Sequence, residues 1–437
     1  MGRAIRHAEI EDEEKTAREP GRAVLVAVDL QVSDRDRVER SLDELADLAK
    51  TNGFVVADRI IQKMDKIDQR TFVGSGKLRE IAQRAEDIEA DYLLFDGELS
   101  PAQTRGISKE TTLKICDRVS VILSIFADRA RTDEGKIQVE LAHWRYRLTQ
   151  LSGQGAALSR LGGGIGTRGP GETMLEQDRR VIRKRMRVLR NELKRVENRR
   201  ERSRALRDRR HMVTAAIVGY TNAGKSTLLN KLCGETLDTG DQLFMTLDPT
   251  ARRLEISEGV SLILIDTVGF IRDLPQFLSQ AFRATFEEAS SADVILLVAD
   301  MSDPDAAAHI DVVHRQLNEL GAGSLPVFYV LNKMDNVRPS AYHDVMMTLR
   351  NDKSDQIFPL SARTGEGLDR LLSGLARFVE STFVWYRAII PYREAGLVAH
   401  ARAFGIVQEE RYESEGVVLA GKIRRNEVGP LKPWIQL

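Results

Sequence analysis

The chain has 437 residues, 65 Lys plus Arg against 65 Asp plus Glu, and two cysteines, Cys116 and Cys233. That length allows roughly three domains, each with its own core. Two cysteines without metal-ligand spacing exclude a disulfide framework and fit a reducing, cytoplasmic setting. No apolar run approaches a membrane span, and the start, "MGRAIRHAEIEDEEK", has neither a signal-peptide core nor, with Arg6 in the way, a myristoylation pattern.

Residues 1–20 are charged and poor in large apolar side chains, the composition of a disordered tail. From 21 to 135 the pattern is that of an α/β domain. "AVLVAVDL" has the length and apolarity of a buried strand, and "RVERSLDELADLAKTNG" carries helical spacing at Leu42, Leu45, Ala46 and Ala49 before Gly53. "FVVADRIIQ" and "ADYLLFDG" follow as strands with "KLREIAQRAEDIE" as a helix between them. Ser100 before Pro101 marks a capped helix start. "GSGK" at 74–77 has only a fragment of a phosphate loop and is expected to be a plain turn.

Residues 136–210 show two helices with coiled-coil rhythm. Ile137, Leu141, Trp144, Leu148 and Leu151 form one seam, and Ile182, Met186, Leu189, Leu193 and Val196 the other. Two seams joined by a loop make an antiparallel hairpin, with "GGGIGTRG" (162–169) at its tip. That stretch contains a literal G-x-G-x-x-G, but no strand feeds it, so no dinucleotide is expected there. Half of residues 179–210 are Lys or Arg, with few acids to balance them. Such a face is expected to meet RNA phosphates.

At 211–383 four motifs follow in order. "TAAIVGYTNAGKSTLLNKL" is a P-loop in its required setting, strand to loop to helix. Gly219, Tyr220, Thr221, Asn222, Ala223 and Gly224 form the loop whose N–H groups face phosphate. Lys225 reaches the β- and γ-phosphates, Ser226 supplies a Mg²⁺ ligand, and Thr227 continues the loop into the helix. "SLILIDTVGF" ends a strand with Asp266, Thr267, Val268 and Gly269. Asp266 suits the Mg²⁺ shell, and the Gly269 N–H the γ-phosphate. "PVFYVLNKMD" brings Asn332, Lys333, Met334 and Asp335; the Asp335 carboxylate can accept two hydrogen bonds from guanine, a pair adenine does not offer. Here Lys333 covers the base and Asn332 ties the segment to the P-loop. "IFPLSARTGEG" adds Ser361, Ala362 and Arg363, with the Ala362 N–H available to guanine O6. Together they specify a G domain with a mostly parallel sheet and flanking helices, binding GTP and GDP.

Between the first two motifs, "DQLFMTLDPTAR" offers Thr246 as the switch threonine for Mg²⁺ and γ-phosphate. Phe270 stands where many small GTPases place a water-orienting Gln. A phenyl ring cannot do that work, so it is expected to tuck away from the site. Hydrolysis then depends on Lys225, Thr246, Gly269 and Asn222 together with an outside contribution: a partner, or a monovalent cation such as K⁺ held partly by Asn222. Residues 384–437, with "VWYRAIIPY", "REAGLVAHARAFG" and "IVQEERYESEGVVLAGKI", read as strand, helix and two strands, a small α+β domain.

These motifs, with "GGGIGTRGPGE" and "EGKIQVELA" ahead of them, closely resemble the HflX family of translational GTPases over about 21–437. The resemblance implies docking on the large ribosomal subunit and GTP-dependent splitting of stalled or idle 70S ribosomes by a monomeric cytoplasmic protein. It carries nucleotide contacts onto Gly219–Ser226, Phe244, Met245, Thr246, Leu247, Asp248, Asp266–Gly269, Asn332–Asp335 and Ser361–Arg363, and Mg²⁺ onto Ser226 and Thr246. Met245 departs from the smaller residue expected before the threonine. Two other classes stay open: a GTP-gated partner in RNA modification, and a GTP-gated adaptor. No second catalytic centre is visible for the first, and no anchor for a membrane form of the second.

Overall fold

The computed structural model describes residues 21–30, 35–152, 170–208, 213–234, 243–244, 250–257, 260–272, 277–278, 290–349 and 356–436. The tail 1–20, the hairpin tip at 162–169 and Met245–Asp248 therefore lie outside the described residues. The chain divides into two compact units. One combines residues up to Asp128 with Ala142–Met186, and the other Arg129–Leu141 with residues from Arg187 onward.

The first unit is built on a four-stranded parallel sheet ordered β2-β1-β3-β4, with β1 Arg22–Leu30, β2 Val55–Met64, β3 Tyr92–Phe95 and β4 Lys114–Asp117. β1 is central, and Ala23 to Val26 are fully buried, as expected for a strand covered on both faces. The helices are α1 Arg35–Thr51, α2 Ser75–Asp87, α3 Pro101–Ile107 and α4 Arg118–Arg129.

Helix α2 corrects the turn expected at "GSGK". Gly74 is its N-cap, and Ser75 to Lys77 form its first turn. The Gly74 N–H donates to Gln62 Oε1 at 2.8 Å. Leu78, Ile81, Ala82 and Ala85 then drive one face into the core. Ser100 caps α3 as its sequence suggests: its hydroxyl accepts from the Gln103 N–H at 3.3 Å while Gln103 Oε1 accepts from the Ser100 N–H at 2.8 Å, a capping box. Periodicity does not mark β4 and α4, because a four-residue strand runs directly into a helix with no turn residue between them. Asp117 makes the junction, accepting from the Ser120 N–H at 2.8 Å and the Leu99 N–H at 3.0 Å.

Helix α5 (Asp133–Ser152) and helix α6 (Pro170–Asp208) carry the two seams. Leu141, Ile182, Met186 and Leu189 are buried, and Ile137, Trp144, Leu148, Leu151, Leu193 and Val196 are half-buried. The Arg179 guanidinium donates to the Leu151 carbonyl at 3.4 Å, linking the end of α5 to α6.

The second unit contains a six-stranded sheet ordered β10-β9-β8-β5-β7-β6. Its strands are β5 Val213–Gly219, β6 Thr250–Ser257, β7 Val260–Asp266, β8 Val294–Asp300, β9 Val327–Asn332 and β10 Ile357–Pro359. Only β6 runs antiparallel, paired with β7 at the edge. Helices α7 Lys225–Cys233, α8 Ala306–Glu319, α9 Pro339–Leu349 and α10 Leu368–Thr382 accompany it. One apolar cluster runs from Ile217 and Leu228 through Leu296 and Val330 to Leu371 and Leu375. The chain ends in an antiparallel sheet, β11 Phe383–Ile390, β13 Gly416–Arg424 and β12 Gly405–Glu413, in that order, with α11 Ala395–Phe404. Tyr386, Ile390, Val398, Ala401 and Leu419 form its core. Among the described residues no helix is long and apolar enough to cross a membrane.

Candidate functional site

The motif residues gather at the carboxyl ends of β5, β7 and β9 and in the loop after β10, where open parallel sheets place their ligands. β5 delivers the P-loop, whose backbone is forced into uncommon conformations. Gly224 has φ 89°, and a Cβ there would lie 2.3 Å from Asn332 Nδ2. Five non-glycine residues with positive φ occur among the described residues, and three of them, Asn222, Phe244 and Lys333, lie in the motif segments. Strain concentrated in this way marks a functional loop.

Lys225 is buried, and its Nζ donates to the carbonyls of Tyr220 at 2.8 Å and Gly219 at 3.0 Å. Burial pushes its ammonium pKa down to about 8, with the Asp266 charge opposing part of that shift. The Ser226 hydroxyl donates to Asp266 Oδ2 at 3.2 Å. Gly269 is packed so closely that a Cβ would sit 3.0 Å from Lys225 Nζ and from Thr221 Cγ2. The Thr267 hydroxyl donates back to the Ile217 carbonyl at 2.7 Å, and Val268 is buried, so both side chains support the segment.

Phe270 is tucked away, 1% exposed, as its sequence position suggests. Its backbone pairs with the P-loop, its N–H donating to the Gly219 carbonyl at 3.0 Å and its carbonyl accepting from the Thr221 N–H at 2.8 Å.

Asn332 ties its segment to the P-loop, its Nδ2 donating to the Ala223 carbonyl at 2.8 Å. Its Oδ1 accepts from the Ala362 N–H at 2.9 Å. The donor read from sequence as free for guanine O6 is therefore engaged inside the protein. Met334 has a structural part, its N–H donating to the Leu360 carbonyl at 3.2 Å. The Asp335 carboxylate accepts from the Ser361 hydroxyl at 2.6 Å and pairs with Arg363. The Ser361 hydrogen bond, helped by the Arg363 charge, holds its carboxyl below the usual range.

Motif reading missed Asp300 and Ser302. Asp300 ends β8 and pairs with Lys333 Nζ at 2.7 Å, fixing the lysine stem. Its Oδ1 also accepts from the Ser302 N–H at 2.8 Å. Its only sequence signal is an acid at the end of the apolar run "VILLVAD". A cavity of about 450 Å³ opens between these elements, lined by Asn222, Thr227, Ser302, Lys333, Asp335 and Arg363 among others.

Three family models match the chain: a GTP-binding GTPase N-terminal region at 39–127, a GTP-binding GTPase middle region at 129–207, and a 50S ribosome-binding GTPase at 214–333. The GTPase HflX of Lacrimispora saccharolytica is 46% identical over 91% of this chain and 92% of its own. The chain belongs to the HflX family of GTPases. The HflX protein of Escherichia coli is 38% identical over 88% of this chain and 89% of its own. A solved structure titled as SsGBP with GDP covers 83% of this chain and 99% of its own at 23% identity, with a TM-score of 0.49. Membership in the HflX family makes this chain an enzyme that binds GTP and GDP and hydrolyses GTP.

The lowered Lys225 pKa has a measurable consequence. The empty site loses its ammonium charge as pH rises through about 8, whereas a phosphate placed beside Lys225 would favour the charged form. Nucleotide binding should therefore take up a proton, and affinity should fall roughly fourfold between about pH 7 and about pH 8.5. Calorimetry at pH 8 in two buffers of different ionisation enthalpy reads the proton directly. A buffer-independent enthalpy would mean that Lys225 stays charged in the empty site.

Proposed function

We propose that this chain binds the large ribosomal subunit and uses GTP binding and hydrolysis to split stalled or idle 70S ribosomes. The observation that carries this reading is the match to HflX relatives along nearly the whole chain, including the middle region that holds the basic helix. In this reading, the Arg- and Lys-rich face of α6 contacts rRNA phosphates, and the glycine-rich segment 162–169 enters a narrow RNA-walled cavity with little side-chain bulk. The protein works as a monomer in the cytoplasm.

Within the G domain, the N–H groups from Gly219 to Thr227 cradle the phosphates and Lys225 meets the β- and γ-phosphates. Ser226 and Asp266 are hard oxygen donors within 3.2 Å of each other, a set that suits Mg²⁺, with Thr246 joining them in the triphosphate state. Phe244 to Asp248 flank the nucleotide, and a Mg²⁺ held by these donors would neutralise charge on the phosphates. Gly269 offers its N–H to the γ-phosphate. Lys333 covers the base, and Asp335 reads guanine N1–H and its amine, displacing Arg363 as the base enters. Asn222, held at φ 60°, would help seat a K⁺ ion, whose charge would stand in for an arginine finger.

Asp335→Asn should weaken GTP binding by roughly ten- to a hundredfold and shift preference to xanthine nucleotides, whose 2-oxo group suits an amide donor. Titration of parent and variant with both nucleotides checks this, and unchanged GTP affinity would remove Asp335 from the base site. Asn222→Ala should abolish any acceleration of hydrolysis by K⁺ over Na⁺. A parent enzyme indifferent to K⁺, with and without ribosomes, would rule the ion out.

The ribosome reading is tested by sedimentation with 70S ribosomes and separated subunits in the presence of a GTP analogue. Binding to the large subunit and conversion of 70S to subunits are expected. Replacing 163–169 by a Ser-rich linker of equal length should keep GTP binding and impair splitting. Binding without splitting by the parent would favour a GTP-gated RNA-binding adaptor. A linker variant that splits as well as the parent would make the loop a mere connector.

A further inference from the structure

Tyr220 is the second residue of the P-loop, a position where the phosphate motif itself asks for no particular side chain. The protein nevertheless builds a chain of contacts around it. The backbones of Gly219–Thr221 and Phe270 form a one-residue parallel bridge. Two residues beyond Phe270, the Arg272 N–H donates to the Tyr220 hydroxyl at 2.7 Å. The side chain thus continues the bridge by one step after the backbone pairing ends. The tyrosine ring lies flat on the His309 imidazole, with centroids 3.7 Å apart and planes 9° from parallel. His309 stands on the first turn of α8, and its Nδ1 is 3.5 Å from Asp303 Oδ2. The Arg272 guanidinium is 3.2 Å from Asp305 Oδ2, at the N-cap of the same helix. Arg272 is therefore gripped twice, through its backbone by the P-loop and through its side chain by the start of α8.

We infer that Tyr220 is a positioning residue for GTP hydrolysis. Its hydroxyl holds the segment Gly269–Arg272 against the P-loop, and the His309 stack fixes the ring that carries the hydroxyl. In the proposed site the loop backbone and Lys225 hold the phosphates that GDP and GTP share, and the Gly269 N–H meets the γ-phosphate that only GTP has. Hydrolysis also needs the segment after Asp266 held in register with the γ-phosphate, and the Tyr220 hydroxyl acts on that segment through the Arg272 N–H. The inference rests on the GTPase activity of the family and is independent of the ribosome reading.

Steady-state hydrolysis and GDP binding by the full-length protein test it. Tyr220→Phe keeps the ring and loses the hydrogen-bond acceptor. Its kcat should fall roughly three- to tenfold, while KM and GDP affinity stay within about twofold. His309→Ala should lower kcat in the same way, and His309→Phe, which restores a flat aromatic partner, should return it to within about twofold of the parent. Should His309→Ala fail to fold, Asp305→Asn, which weakens the second grip on Arg272, carries the same expectation. A Tyr220→Phe enzyme turning over at the parental rate would overturn the inference. So would a loss of GDP affinity in step with kcat, because Tyr220 would then shape the phosphate site itself.

Discussion

A single buried amide joins the three segments that make the base end of the site. Asn332 is 2% exposed, donates to the Ala223 carbonyl in the P-loop and accepts from the Ala362 N–H in the loop after β10. Only a side chain with a donor and an acceptor on one planar group makes both bonds at once. Aspartate would turn the donor into a second acceptor facing the Ala223 carbonyl, in a buried setting where such a conflict is expensive. Gly224 completes this arrangement, since any Cβ at that position would collide with the Asn332 amide. The P-loop and the loop after β10 are thus set against each other by the protein's own contacts.

The phosphate end follows another logic. The Lys225 ammonium is held by two P-loop carbonyls and sits where burial disfavours its charge. An anion placed beside it relieves that cost, so part of the interaction with phosphate is prepared in the fold itself. The same economy appears at Asp335, whose carboxylate is kept ionised by Ser361 and Arg363. A charge maintained in this way suits the role proposed for Asp335, accepting two donors from one edge of a base.

The sequence made these parts legible because phosphate and guanine chemistry demands particular residues in consecutive positions at strand ends. Lys225, Ser226, Asp266, Asn332 and Asp335 could be named from spacing alone. The edge strand β6 and the order of the sheet could not, since periodicity says nothing about which strands are neighbours. Asp300 escaped because its role is to hold Lys333, a contact between two strand ends far apart in the chain. The engaged Ala362 N–H escaped for the same reason: sequence identifies a donor but not what already accepts from it. In the first unit, the junction at Asp117 was hidden because its turn is made by hydrogen bonds to a carboxylate, with no glycine or proline to announce it.

Phe270 shows how a departure from a common motif is absorbed by the fold. Burying its ring brings it into the interior, and its backbone pairs on both sides with Gly219 and Thr221. The beginning of the segment after Gly269 is then anchored to the P-loop. The anchor is made by the backbone of residue 270, while its buried ring offers no group to orient a water. Under the proposed function, water orientation falls to a group other than Phe270, and the rate of hydrolysis responds to whatever supplies that group.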